Sequence, residues 1–133
     1  MGYLIFCVDD EIDDCEFLTE VIKQKIPDTE LIFASDGIMA VEKLKELSKN
    51  NVKPSMIILD LNAPGLDGKV ALKKINSMAG LLEVPKLVLS TSPQAEDIHY
   101  FSEYGVPVMK KPSSFLDYDE VVEVIKKSII PGP

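Results

Sequence analysis

The sequence has 133 residues, which is enough for one domain but too short for a linker followed by a second one. Apolar residues make up 46% of the chain and charged residues 27%, a composition typical of a globular protein. Twenty-two acidic residues against 14 basic ones give a net charge of −8, which would repel nucleic acid and anionic membrane surfaces. We therefore expect a protein or a cation as the partner.

The N-terminal stretch MGYLIFCVDD has no basic segment and reaches acidic residues after a short apolar run. It therefore predicts neither a signal peptide nor a membrane span. Cys7 and Cys15 belong to no metal or redox motif, and we interpret them as buried free thiols in a reducing compartment. These features predict a cytoplasmic protein.

Short apolar runs alternate along the chain with segments of helical periodicity. The runs at residues 3–8, 30–34, 55–59, 86–90 and 106–109 predict five strands. Apolar residues three or four apart predict a helix after each strand, starting near Ile12, Ile38, Ala71, Gln94 and Tyr118. Four methionines fit the apolar patterns and are predicted to be core residues. They are Met39, Met56, Met78 and Met109.

Strict alternation of strands and helices favours a parallel sheet with helices on both faces, because each parallel crossover needs a connecting element. Pro107 cannot donate to a sheet ladder, so the fifth strand should lie at an edge. The predicted fold is a doubly wound α/β domain, flavodoxin-like, with strand order 2-1-3-4-5. In this order the ligand-binding switch point lies between the carboxyl ends of strands one and three.

Carboxylates cluster at that switch point. Asp9 and Asp10 follow the first strand, and Asp60 follows the apolar part of the third. Carboxylates this close in the fold would repel one another, by about 4 kcal/mol for two unit charges 4 Å apart at an effective dielectric near 20. We therefore expect a hard divalent cation to offset the repulsion. Few protein carboxylates and room for several waters suit Mg²⁺ better than Ca²⁺.

The full pattern resembles the receiver domain of bacterial two-component response regulators, over essentially the whole length. That family carries an acidic pair, a phosphoacceptor aspartate, a serine or threonine, and a lysine before proline, each at a strand end. The corresponding residues here are Asp9, Asp10, Asp60, Ser90, Lys111 and Pro112. LDLNAPGLDG resembles the family's acceptor loop, with Asn62, Pro64 and Gly68 at matching positions. LLEVPKLVLSTS further resembles small receivers that partner phytochrome-type kinases.

The resemblance implies a role for each site residue. Asp60 would accept a phosphoryl group from a sensor histidine kinase or a small phosphodonor. Mg²⁺ would be bound by Asp60, by Asp10 directly, by Asp9 through water, and by the backbone carbonyl of Asn62. The Ser90 hydroxyl and the Lys111 ammonium would contact the phosphoryl oxygens.

Two further expectations concern the segment around this lysine. The Lys111–Pro112 peptide is expected to be cis, which would aim the ammonium into the site. Val108 stands three residues before Lys111, where such receivers usually carry an aromatic switch residue. We therefore expect phosphorylation to move the backbone near residues 90–92, without an aromatic rotamer change.

Four other polar residues have ordinary structural interpretations. Asp13 and Asp14 are predicted to be acids favoured by the helix dipole, and Asp67 to cap the third helix. His99 is predicted to be a surface residue of the fourth helix.

The expected function is that of a single receiver domain, residues 1–133, without an output domain and not itself an enzyme with an external substrate. Its signal would leave through helix four, strand five and helix five toward a protein target that the sequence does not identify, and a homodimer stays open. A flavin mononucleotide carrier is disfavoured by the carboxylates, and a haloacid-dehalogenase-type phosphatase by Asn62 in place of its second aspartate. A phosphorelay intermediate and a pseudo-receiver that is never phosphorylated remain open.

Overall fold

A computed structural model describes residues 2–63 and 67–130 of the chain. Within these residues, strands and helices alternate as the sequence predicts. The strands are β1 (Tyr3–Val8), β2 (Thr29–Ala34), β3 (Met56–Asp60), β4 (Lys86–Ser90) and β5 (Val108–Lys110). The α-helices are α1 (Ile12–Lys25), α2 (Gly37–Lys49), α3 (Gly68–Asn76), α4 (Ala95–Ser102) and α5 (Tyr118–Ile129), and a short 3-10 turn (Phe115–Asp117) precedes α5.

The five strands form one parallel sheet in the order β2-β1-β3-β4-β5, which confirms the predicted fold class and strand order. The register pairs Val8 of β1 with Leu59 of β3, and Ser90 of β4 with Lys110 of β5. The carboxyl ends of these four strands therefore meet at one edge of the sheet.

The apolar runs of the central strands are continuous because both faces of the sheet are buried. In β1, Phe6 and Val8 pack into a core cluster shared with α2, α3 and α4, whereas Ile5 and Cys7 pack into a second cluster shared with α1 and α5. Burial of each large apolar side chain contributes about 1.5–3 kcal/mol, so this two-layer core fixes the sheet that carries the site.

The fifth strand starts two residues later and ends one residue later than predicted. Residues 106–109 were expected, but β5 is Val108–Lys110. The amide of Val106 donates to the carbonyl of Phe101, and Pro107 has no amide hydrogen, although its carbonyl accepts from Val88. The strand therefore starts after the proline and extends to the residue before Lys111.

Some residues in the helical patterns are not buried. Ile12 and Ile38 are 74% and 71% exposed, and the prediction that Met39 is a core residue is wrong, since it is 37% exposed. The buried face of α2 carries Gly37, Ala40 and Leu44, and Ile38 and Met39 lie away from that face. Ile12 is the first residue of α1, whose buried residues begin only at Leu18. Met56, by contrast, is fully buried.

Local hydrogen bonds fix the start of α3 and the turn before β4. The Asp67 side chain accepts from the amides of Lys69 and Val70, which confirms the predicted helix cap. Lys86 is 5% exposed, and its ammonium donates to the carbonyls of Leu81 at 2.6 Å and Val84 at 2.8 Å. None of the helices in the described part of the chain is long and apolar enough to cross a membrane.

Candidate functional site

Three carboxylates lie together at the carboxyl edge of the sheet. Asp9 follows β1, Asp10 comes next, and Asp60 is the last residue of β3. One oxygen of each lies within 4.8 Å of the other two. Asp60 is 1% exposed and Asp9 7% exposed, whereas Asp10 is exposed. The structure thus brings together the three acids that the sequence predicted, and we call this group the acidic crevice.

Lys111 reaches the acidic crevice from the residue after β5. Its backbone amide donates to the carbonyl of Ser90 at 2.7 Å, which places the side chain above the sheet edge. Its ammonium lies 2.6 Å from Asp60 Oδ2 and 3.2 Å from Asp9 Oδ2. Burial works to lower the pKa of Lys111, but hydrogen bonds to carboxylates outweigh that effect and raise it, so the side chain is charged.

Asp14 also contacts the Lys111 ammonium, at 2.8 Å from its Oδ2. The sequence interpretation, an acid placed by the helix dipole, missed this contact. Asp14 lies in the first turn of α1, and helical side chains lean toward the helix N-terminus. That tilt, directed toward the end of β1, is the signal by which the contact could have been found.

The carboxylate of Asp60 is held by two donors. Its Oδ1 accepts from the backbone amide of Asn62 at 2.9 Å, and its Oδ2 accepts from Lys111. Asp9 is held in a similar way, since its Oδ1 accepts from the amide of Glu11 at 3.0 Å. Burial raises the pKa of Asp9 to about 6, although the Glu11 amide and the Lys111 ammonium act in the opposite direction.

The loop after β4 is hydrogen-bonded to the site. Ser90, the last residue of β4, is 6% exposed, and its Oγ accepts from the amide of Ser92 at 3.2 Å. The Oδ1 of Asn62 accepts from the amide of Thr91 at 3.0 Å. The loop that follows Asp60 is therefore bonded directly to the loop between β4 and α4.

The predicted cis peptide before Pro112 is wrong, because no peptide bond among residues 2–63 and 67–130 is cis. The Lys111 ammonium nevertheless reaches Asp60. The bond between the Lys111 amide and the Ser90 carbonyl already positions the backbone, and the long side chain spans the remaining distance.

Val108 is half-buried against the cluster that β1 shares with α2, α3 and α4. The neighbouring aromatic residues lie on or just after α4, where the Tyr100 ring centroid is 5.3 Å from those of both Phe101 and Tyr104.

His99 is a surface residue, as predicted, and lies 3.2 Å from Glu103. Pro64, part of the acceptor-loop pattern, lies outside the described residues.

The acidic crevice suits a hard divalent cation. Its donors are carboxylate oxygens, which Mg²⁺ prefers. Asp10 is exposed, so the same side can admit the water ligands that Mg²⁺ keeps.

The fold and site define a class: a doubly wound α/β protein with buried carboxylates and a lysine at its switch point. No family model matches the sequence. The response regulator Rcp1 of Synechocystis sp. is 35% identical over 97 residues, which cover 71% of this chain and 66% of Rcp1. The match to the probable methanogenesis regulatory protein FilR2 of Methanothrix harundinacea, 35% identical over 86 residues, covers 60% of this chain and 56% of FilR2.

Solved structures of response regulators are also similar to this chain, over nearly its full length. The Mn²⁺-bound form of Rcp1 matches with a TM-score of 0.78 at 28% identity, covering 99% of this chain and 98% of that one. The phosphorylated cyanobacterial phytochrome response regulator RcpA matches with a TM-score of 0.81 at 28% identity, covering 98% and 95%. The chain belongs to the CheY-like receiver family of two-component response regulators.

Proposed function

We propose that Asp60 is a phosphoacceptor that takes its phosphoryl group from the phosphohistidine of a sensor histidine kinase. The observation that carries the proposal is a nearly buried carboxylate, bonded to the Asn62 amide and the Lys111 ammonium and flanked by two further acids. The similarity to a phytochrome response regulator supports a phytochrome-type kinase as the donor.

In the transfer, one Asp60 oxygen attacks phosphorus. The new O–P bond forms as the N–P bond to the imidazole breaks, and the electron pair of that bond returns to the ring nitrogen. The Lys111 ammonium lies next to Asp60 and would balance charge on the transferred oxygens. Ser90 Oγ accepts from Ser92 in this structure, which leaves its own hydrogen to be donated to a phosphoryl oxygen.

Asp9, Asp10, Asp60 and the backbone carbonyl of Asn62 would hold Mg²⁺, and the existence of a Mn²⁺-bound form of the related Rcp1 supports the binding of a divalent cation. When bound, the cation supplies positive charge that balances the carboxylates and the phosphoryl oxygens. Asp9 and Asp10 would serve only as metal ligands, whereas Asp60, which is bonded to Lys111 and to the Asn62 amide, would also be the attacking group.

The phosphorylated chain would signal through the surface formed by α4, β5 and α5 toward a protein target, or would pass its phosphoryl group on in a phosphorelay. We place this exchange in the cytoplasm, where the free thiols of Cys7 and Cys15 stay reduced. A pseudo-receiver would need none of the contacts that hold Asp60, and these contacts favour the phosphoacceptor.

The test is to incubate the protein with Mg²⁺ and acetyl phosphate and to follow intact mass, with Asp60→Asn as the test variant. Asp13→Asn, an exposed acid in the first turn of α1, is the matched control. We expect one phosphoryl group on the wild type and the control, and none on Asp60→Asn. Full labelling of Asp60→Asn would contradict the assignment, and an unlabelled wild type that also fails to bind beryllofluoride would favour the pseudo-receiver.

A further inference from the structure

Three carboxylates surround the Lys111 ammonium, one for each of its N–H donors. It lies 2.6 Å from Asp60, 2.8 Å from Asp14 and 3.2 Å from Asp9. A lysine ammonium offers three N–H donors, and this side chain is only 5% exposed, so little water can reach it. In this state no donor is left over for a new anionic ligand.

Asp14 differs from the other two partners. Asp9 and Asp60 belong to the acidic crevice, whereas Asp14 comes from the first turn of α1 and is not among the three acids whose oxygens cluster. Its side chain is 20% exposed. It therefore holds the ammonium from outside the group that would bind the cation.

We propose that Asp14 is a positioning residue that competes with the phosphoryl group on Asp60 for the Lys111 ammonium, and so sets how readily the phosphorylated state forms. This inference rests on the proposed function of Asp60. Phosphorylation of Asp60 removes the charge of its carboxylate and brings three phosphoryl oxygens next to the ammonium. Lys111 must then turn a donor toward them, and the donor given to Asp14 is the one that lies outside the acidic crevice.

The charge balance acts in the same direction. The three crevice acids, one Mg²⁺ and Lys111 are formally neutral, and Asp14 adds one negative charge 2.8 Å from the ammonium. An anionic phosphodonor therefore approaches a site that is more negative than the crevice alone would make it. If Asp14 instead aimed Lys111 at the phosphoryl group, its removal would weaken the phosphorylated state.

The test compares Asp14→Asn, Asp14→Glu and the control Asp13→Asn, which removes the same charge from an exposed neighbour. Beryllofluoride affinity in saturating Mg²⁺ is measured by NMR titration, and the labelling rate with acetyl phosphate by mass. Removal of a partly exposed ion-pair partner predicts about fivefold tighter beryllofluoride binding and faster labelling for Asp14→Asn. Asp14→Glu should return toward wild type, and Asp13→Asn should change affinity by less than about twofold.

Equal effects of Asp14→Asn and Asp13→Asn, or weaker binding by Asp14→Asn, would overturn the competition. The gain should vanish in the Lys111→Met background, and its persistence there would show that the ammonium is not the shared group. A double-mutant cycle of Asp14→Asn and Lys111→Met on urea midpoints, without metal, tests the contact independently of phosphorylation. A wild type that binds no beryllofluoride would refute the proposed function and the competition together, whereas additive midpoints would refute the contact alone.

Discussion

Replacing Lys111 with Met should destabilise the protein by removing the cation shared by Asp9, Asp14 and Asp60. At an effective dielectric near 20, unit charges about 3 Å apart attract by about 5 kcal/mol per pair. Desolvation and repulsion among the acids cancel much of this, and removing one partner of a buried ion pair costs about 3–5 kcal/mol. We therefore expect a loss of about 3–5 kcal/mol in the free energy of unfolding near pH 8 without metal.

The loss should depend on pH through Asp9. Its pKa in the folded protein is about 6, and Lys111 is one of the groups that hold it down, so the variant should have a still higher value. Between an unfolded value of about 3.9 and the folded value, the folded state binds more protons, and stability falls as pH rises. This window extends to higher pH in the variant, so its deficit should be larger near pH 8 than near pH 5.

Urea unfolding followed by circular dichroism measures both quantities, with Lys110→Met as the control. Lys110 is the preceding residue and is exposed, so the same chemical change there should alter stability by less than about 0.5 kcal/mol. A loss below about 1 kcal/mol for Lys111→Met near pH 8, or the same loss near pH 5, would refute the reasoning.

Three further predictions follow from single contacts. Asp10→Ala should weaken Mg²⁺ binding more than Asp9→Ala, since both Asp9 oxygens already accept from Lys111 or Glu11, and calorimetric titrations showing equal or reversed losses would contradict this. Lys86→Met should lower the free energy of unfolding by about 2–4 kcal/mol, because the carbonyls of Leu81 and Val84 lose their donor. Lys74, an exposed lysine, is the control, and a change for Lys86→Met as small as that for Lys74→Met would show that these bonds do not stabilise the fold. Beryllofluoride should shift the backbone amide resonances of residues 90–92 in NMR spectra, and changes confined to the rings of Tyr100 or Tyr104 would show that another aromatic residue acts as the switch.

The fold could be predicted because each level of the sequence indicates the same answer. Both faces of β1, β3 and β4 are buried, so these strands appear as continuous apolar runs. In the helices, apolar residues recur every three or four positions. Pro107 led to the correct prediction that β5 lies at the edge of the sheet. The start of β5 was predicted wrongly, because Pro107 has no amide hydrogen and lies just before the strand. Met39 was assigned wrongly because the small residues Gly37 and Ala40, and not the larger apolar side chains beside them, form the buried face at the start of α2.

The acidic crevice could be predicted because parallel strands deliver their carboxyl ends to one edge, whatever the side-chain details. The contact of Asp14 was missed, and the Lys111–Pro112 peptide was predicted wrongly. Asp14 depends on the tilt of a side chain across the gap between α1 and β5, and the peptide depends on how the backbone of Lys111 is already bonded to Ser90. Both features depend on how separate elements pack against each other, which the spacing of residues along the chain does not specify by itself.

Residues around Asp60 are already hydrogen-bonded to partners within the protein. Lys111 is bonded to Asp60, Ser90 accepts from Ser92, and Asn62 accepts from Thr91. A phosphoryl group on Asp60 that bonded to Lys111 would have to take over a donor that the ammonium now gives to a carboxylate. The Ser90 hydroxyl, which accepts from Ser92, would donate its own hydrogen and so bring the loop after β4 toward the phosphoryl group. Because Asn62 connects the loop after Asp60 directly to the loop between β4 and α4, we expect phosphorylation to move the backbone there without any aromatic switch at Val108. The resting hydrogen bonds thus set the size of the response, since a ligand shifts the loop only by as much as it bonds better to the rearranged state.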